Sequence, residues 1–97
     1  MAASAPQTVA LAIGGPLTRA DVPDLCQRVC ALLERTDADV VLCDVTTAGP
    51  DAVTVDALAR VHLVARRHGC GTRVCGASNE LIELLDLAGL RDVLRRL

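Results

Sequence analysis

One stretch decides the fold of this chain, and it reads Asp39-Val-Val-Leu-Cys-Asp-Val-Thr-Thr-Ala-Gly-Pro-Asp-Ala-Val-Thr-Val-Asp-Ala-Leu-Ala-Arg-Val-His-Leu-Val-Ala-Arg-Arg-His-Gly69. Val40 to Val45 is short, apolar and rich in β-branched residues, and the turn-forming residues 48–51 follow it, so a buried strand is predicted. Thr54 then starts a predicted helix, because its hydroxyl can accept from free N–H groups of the first turn. Gly69 supplies the left-handed end of that helix. The prediction is a corner made of a strand, a loop and a helix.

The same reasoning extends outward to the rest of the chain. The predicted strands are Val9–Ile13, Val40–Val45 and Arg73–Cys75, and the predicted helices are Asp21–Arg35, Val55–His68 and Asn79–Leu87. Ser78 is placed to cap the last helix. Strands that alternate with helices indicate an α/β domain whose sheet is mostly parallel or mixed, with the helices packed mainly on one face. Residues 1–7 form a predicted flexible tail, and residues 8–97 form the domain.

Composition limits the class of protein. With 97 residues, 52% hydrophobic and 23% charged, the chain is a single globular domain. It contains no Phe, Tyr or Trp and has a net charge of -2, so it lacks both stacking platforms and attraction to phosphate backbones. Nucleic acid is therefore not expected as a partner. The N-terminus lacks a charged export signal and no apolar run is long enough for a membrane span, so we expect a cytoplasmic protein without membrane contact.

Five cysteines raise the question of a metal site or disulfides. They are Cys26, Cys30, Cys43, Cys70 and Cys75. Their number is odd, they contain no Cys-x-x-Cys pair, and neither histidine lies at a recognised zinc spacing from a cysteine pair. We therefore expect small buried thiols in a reducing compartment, and no metal or other cofactor. Cys70, between two glycines, is the cysteine predicted to meet solvent.

The order of these motifs resembles the STAS domain of anti-sigma-factor antagonists and sulfate transporters. The likeness runs from about Val9 to Leu94. It rests on the Gly-Pro-Leu turn, the Val-Val-x-x-Asp-Val strand, the Asp-x-x-Thr-Val-x-x-Leu helix start and the close at Leu84-Leu85-x-Leu-Ala-Gly-Leu90. The resemblance implies a small α/β domain with helices on one side of the sheet. It also implies a bacterial signalling protein that regulates transcription by binding other proteins.

The chain departs from this family where the second helix begins. Antagonists of the family carry Asp-Ser-Ser/Thr-Gly there, and a partner that is both kinase and anti-sigma factor phosphorylates the serine. If Asp51 matches the aspartate, Ala52 and Val53 stand at the two hydroxyl positions. A shift by one residue places Val53 and Thr54 there instead. Thr54 is thus the one candidate phosphoacceptor, and its predicted role as a helix cap already accounts for its presence. We expect no phosphorylation at this corner.

The second helix has more apolar residues than a helix with one buried face needs. Val55, Leu58, His62 and Ala65 are predicted to share a buried face, whereas Val61, Leu63 and Val64 extend the apolar surface beyond it. Such a surplus in a small domain indicates either contact with another molecule or shielding by the open sheet or the tail. The predicted partner-binding residues are Asp51, Thr54, Asp56, Arg60, Leu63 and Arg67.

The interpretation is a non-enzymatic interaction module. Asp44, Asp51 and Asp56 could be taken for a catalytic or metal-binding carboxylate cluster, but turn and cap roles explain two of them and no His, Lys or Tyr accompanies them. The expected partner is an anti-sigma factor or a serine-kinase-like regulatory protein of a stress-signalling assembly. The alternatives are a STAS domain that senses a small ligand, and a structural homo-oligomer, such as a homodimer, formed through the same helix.

Overall fold

The structure, a computed structural model, describes residues 7–15 and 17–90, where three strands alternate with three helices. The elements are β1 (Thr8–Ala12), α1 (Asp21–Arg35), β2 (Val40–Asp44), α2 (Ala52–Arg67), β3 (Gly71–Cys75) and α3 (Asn79–Leu87). The predicted α/β class and the order of elements are confirmed. The bounds of α1 and α3 are those predicted, whereas α2 begins three residues earlier than expected. Residues 1–6 of the predicted tail, and residues 16 and 91–97 of the predicted domain, lie outside the described part of the chain.

The sheet is parallel throughout the described residues, with the strand order β1-β2-β3. In its register Leu42 of β2 lies between Ala10 of β1 and Arg73 of β3. The strand predicted from the central stretch is therefore paired on both edges. Val41 and Cys43 of β2 are fully buried, whereas Val40 and Leu42 on its other face are half-buried.

All three helices lie on one face of the sheet. Val41 and Cys43 of β2 and Thr72 and Val74 of β3 are buried, and the residues between them point to the other face. Adjacent parallel strands joined by right-handed crossovers place α1 and α2 on the same side, and α3 packs against α2. The opposite face of β1 exposes only small side chains, namely Thr8, Ala10 and Ala12. The predicted one-sided arrangement is therefore confirmed.

Helix α2 is the centre of the helical layer. It contacts α1, α3, β2 and β3. The buried core around it consists of Ile13, Val22, Leu25, Val29, Leu33, Val41, Cys43, Val45, Ala57, Leu58, Val61, Ala65, Cys70, Val74, Leu81 and Leu85. Over the described residues, none of the helices combines the length and the apolar character that crossing a bilayer requires.

The helices α2 and α3 end in the same way. Gly69 follows α2 with φ 73°, and the N–H of Cys70 reaches back to the carbonyl of Ala65 at 2.8 Å. Gly89 follows α3 with φ 79°, and Leu90 makes the corresponding bond at 2.9 Å. Both are Schellman endings, in which glycine takes the left-handed position at no steric cost. The predicted stop at Gly69 is confirmed.

Candidate functional site at the second helix

The corner between β2 and α2 is fixed by Asp51. Its backbone is extended, and its Oδ1 accepts a hydrogen bond from the N–H of Thr54 at 2.9 Å. Asp51 is therefore the N-cap of α2, and its negative charge lies at the positive end of the helix dipole. The prediction that Thr54 caps this helix is wrong. Thr54 occupies the third helical position and provides the N–H rather than the accepting oxygen.

Thr54 also lies in the core and not on the surface. Its exposed fraction is 1%, and it belongs to the buried stripe of α2 with Leu58, Val61 and Ala65, which follow at steps of four, three and four residues. The early start of α2 turns this residue inward. Thr54 therefore drops out of the predicted partner-binding set, because its side chain cannot reach a docked protein.

Four of the other predicted partner-binding residues form one stripe on the opposite side of α2. Asp56, Arg60, Leu63 and Arg67 also follow one another at steps of four, three and four residues. Leu63 is 55% exposed, and Arg60 Nε lies 3.1 Å from both carboxylate oxygens of Asp56. A solvent-exposed pair of this kind contributes about 0.3–0.5 kcal/mol, so stability alone gives little reason for it. We call these four residues the outer stripe.

The apolar surplus on α2 is smaller than predicted. Val61 is fully buried, at 0% exposure, and Val64 is half-buried. The prediction that Val61 extends the apolar surface is wrong, because Val61 is one of the five buried residues of α2. His62 is half-buried, and its Nδ1 lies 3.1 Å from the hydroxyl oxygen of Thr72 on β3, which agrees with the predicted packing role.

An apolar groove runs beside the outer stripe, between α2 and α3. Its lining residues are Ala52, Val55, Asp56, Ala59, Leu84, Leu87, Ala88 and Leu90. Leu87 is 84% exposed, the largest exposure among the large hydrophobic residues described. Asp56 belongs to both the groove and the outer stripe, so the two surfaces are continuous. The sequence pattern of α2 does not predict this part of the site, although Leu87 stands off the buried stripe of Leu81 and Leu85 on α3.

The three aspartates considered as a carboxylate cluster have separate local partners. Asp44 accepts from the hydroxyl and the N–H of Thr46, and these bonds hold the pKa of its carboxyl below the ordinary aspartate value. Asp51 accepts from the first turn of α2, and Asp56 pairs with Arg60. Each carboxylate is thus engaged in a turn, a cap or a surface pair. This arrangement does not provide a shared acid and base.

The five cysteines are free thiols. Cys43 is buried in the sheet, and burial raises the pKa of its thiol to about 12, with Cys75 adding to the effect. The prediction that Cys70 meets solvent is wrong, since its exposed fraction is 6% and its Sγ donates to the carbonyl of Ala38 at 3.0 Å. The physical reason is its place directly after Gly69 in the Schellman ending, where an apolar side chain folds back onto its helix.

Neither the models of known protein families nor the curated proteins gave a match to this chain.

Proposed function

We propose that this chain is a STAS-like interaction module that docks onto a kinase-type anti-sigma factor, or a related stress-signalling protein, in the bacterial cytoplasm. The proposal draws on the resemblance of the sequence motifs and on a fold that agrees with what they imply. The docking surface in this proposal is the outer stripe together with Asp51 and the adjoining groove.

The single observation that carries the proposal is the exposure of Leu63. Leu63 is 55% exposed on α2, one helical turn beyond Ala59 of the groove, and Arg60 and Arg67 flank it along the stripe. An apolar centre with a charged rim is the composition of interfaces whose binding energy comes from a few side chains. Leu63 contributes little to the fold in this exposed position, so a partner supplies the reason for its presence.

In this proposal, docking does not depend on phosphorylation at the corner. Thr54 is 1% exposed within a helix, so a kinase could reach its hydroxyl only after the first turn of α2 had opened. The N–H of Thr54, one of the first-turn groups that would attract a phosphate, already donates to the Asp51 carboxylate. An added phosphate beside Asp51 would also suffer like-charge repulsion. The module therefore acts as a constitutive binder without chemistry of its own.

The test is affinity capture with the tagged chain in its native cell, followed by identification of the bound proteins. We expect an ATPase of the histidine-kinase-like type among them. Intact-mass measurement after incubation with that ATPase and ATP should show no phosphate on the chain. Recovery of only the chain itself, as a dimer, would instead support the structural homo-oligomer.

A further inference from the structure

A group of side chains that can bind a metal ion lies where α1 packs against the C-terminal end of α2. Cys30 and Glu34 lie one turn apart on α1, and His68 directly follows α2. The Cys30 Sγ atom is 3.4 Å from Glu34 Oε1 and 3.9 Å from His68 Nε2. The three ligand atoms lie within 4.8 Å of one another. His68 lies 34 positions after Glu34 and 38 after Cys30 along the chain, so no rule of sequence spacing groups it with them.

The histidine is oriented as a ligand. His68 Nδ1 lies 3.0 Å from the carbonyl oxygen of Val64. A carbonyl oxygen only accepts, so Nδ1 donates this bond, and whenever the imidazole is neutral its Nε2 lone pair is turned toward Cys30. Metal-binding histidines are held in this way, with one ring nitrogen donating to a backbone carbonyl and the other facing the ion.

The three ligand atoms converge on one point between the helices. Sulfur, carboxylate oxygen and Nε2 all carry lone pairs, and the only proton among them is that of the Cys30 thiol, which points to Glu34. In the neutral ring the Nε2 lone pair faces the sulfur at 3.9 Å. A cation placed among the three atoms would satisfy all of them at once.

We propose that Cys30, Glu34 and His68 bind one Zn²⁺ ion, with water as the fourth ligand. Thiolate, imidazole and carboxylate are the three ligand types that zinc takes in proteins, whereas Mg²⁺ and Ca²⁺ prefer oxygen alone. A tetrahedral zinc site with ordinary bond lengths has ligand atoms about 3.6 Å apart. The two separations measured from Cys30 Sγ, 3.4 and 3.9 Å, lie on either side of that value, and the third separation is within 4.8 Å. On binding, the Cys30 thiol proton leaves to solvent and the sulfur binds as thiolate.

The ion would join α1 to α2 at the end of the helix remote from Asp51. The zinc proposal does not rest on the docking proposal, since none of the three ligands belongs to the outer stripe. Because the ion binds the folded arrangement and not the separated helices, zinc should raise the thermal stability of the chain.

The test is titration of the reduced full chain with Zn²⁺ by calorimetry, and with Co²⁺ by absorbance. We expect one ion per chain, a thiolate-to-cobalt charge-transfer band, and a higher melting temperature with Zn²⁺. Cys30→Ser should abolish the band, and Glu34→Gln should weaken zinc binding at least about tenfold, the loss expected even for groups that only support a ligand. Cys26→Ser is the matched control, because Cys26 lies one turn earlier on α1, is half-buried, and is outside the cluster.

The proposal is overturned if the chain binds neither ion, if the band persists in Cys30→Ser, or if Cys26→Ser loses it equally. If Cys30→Ser fails to fold, the zinc affinity of Glu34→Gln tests the proposal instead. Glu34 is exposed, so glutamine at this position should leave the helix intact. Unchanged zinc affinity in that variant would also overturn the proposal.

Discussion

Removing the Asp51 carboxylate should weaken the fold measurably although the side chain is exposed. Asp51→Ala loses the 2.9 Å hydrogen bond to the N–H of Thr54, which costs about 1 kcal/mol for a typical N-cap. It also removes a negative charge from the N-terminus of α2, which adds about 0.5 kcal/mol. The total of about 1.5 kcal/mol corresponds to a melting temperature about 6–12 °C lower in a domain of this size.

Urea denaturation followed by circular dichroism measures this loss directly. Asp51→Asn is the matched control, because the amide oxygen can still accept from Thr54 and only the charge is removed. We expect Asn to lose about 0.5 kcal/mol and Ala about three times as much. Equal stability of Asp51→Ala and the wild type would refute the assignment of Asp51 as the cap.

Three further predictions concern the core, the thiols and the response to acid. Leu85→Ala should cost about 2–5 kcal/mol in urea denaturation because Leu85 is fully buried, whereas Leu87→Ala should stay within about 0.5 kcal/mol; equal losses would contradict the orientation of α3. Alkylation, followed by mass spectrometry, should first modify the half-buried thiols Cys26, Cys30 and Cys75. Cys43 should stay unmodified until the chain unfolds, because burial raises the pKa of its thiol to about 12. Because the pKa of Asp44 is lower in the folded state, its carboxylate stabilises the fold at pH values above the ordinary pKa of 3.8. This contribution to stability is lost as the pH falls through the folded-state pKa. Asp44→Asn should therefore flatten the acid limb of the stability curve, and an unchanged limb would contradict the bonds from Thr46.

The elements that sequence predicted best are those decided by local pattern. The bounds of α1 follow from apolar spacing alone, and those of α3 from Ser78, whose side chain accepts from Leu81 N at 3.2 Å, and from Gly89. The central place of β2 follows from its apolar run. In each case the period of the sequence and the ends of the element point to the same answer.

The errors arise where a residue has two plausible roles. Thr54 and Asp51 can both cap a helix, and aspartate ranks above threonine at that position, a signal that was available in the sequence. The predicted buried face of Val55 and His62 lies one residue along from the observed stripe of Thr54 and Val61, and this rotation of about 100° placed Val61 on the surface instead of in the core. The group of Cys30 and His68 could not be predicted, because it depends on how α1 packs against α2.

We propose that the outer stripe of α2 binds a signalling partner. Leu63→Asp tests it, because Leu63 is 55% exposed and the change should leave folding nearly intact, whereas an unpaired carboxylate buried at an interface costs several kcal/mol. The control is Ala31→Asp on the solvent side of α1. The measurement is the affinity of each folded variant for the captured ATPase. We predict binding at least about 100-fold weaker for Leu63→Asp and unchanged for Ala31→Asp. A folded Leu63→Asp variant that binds as tightly as the wild type would contradict the claim.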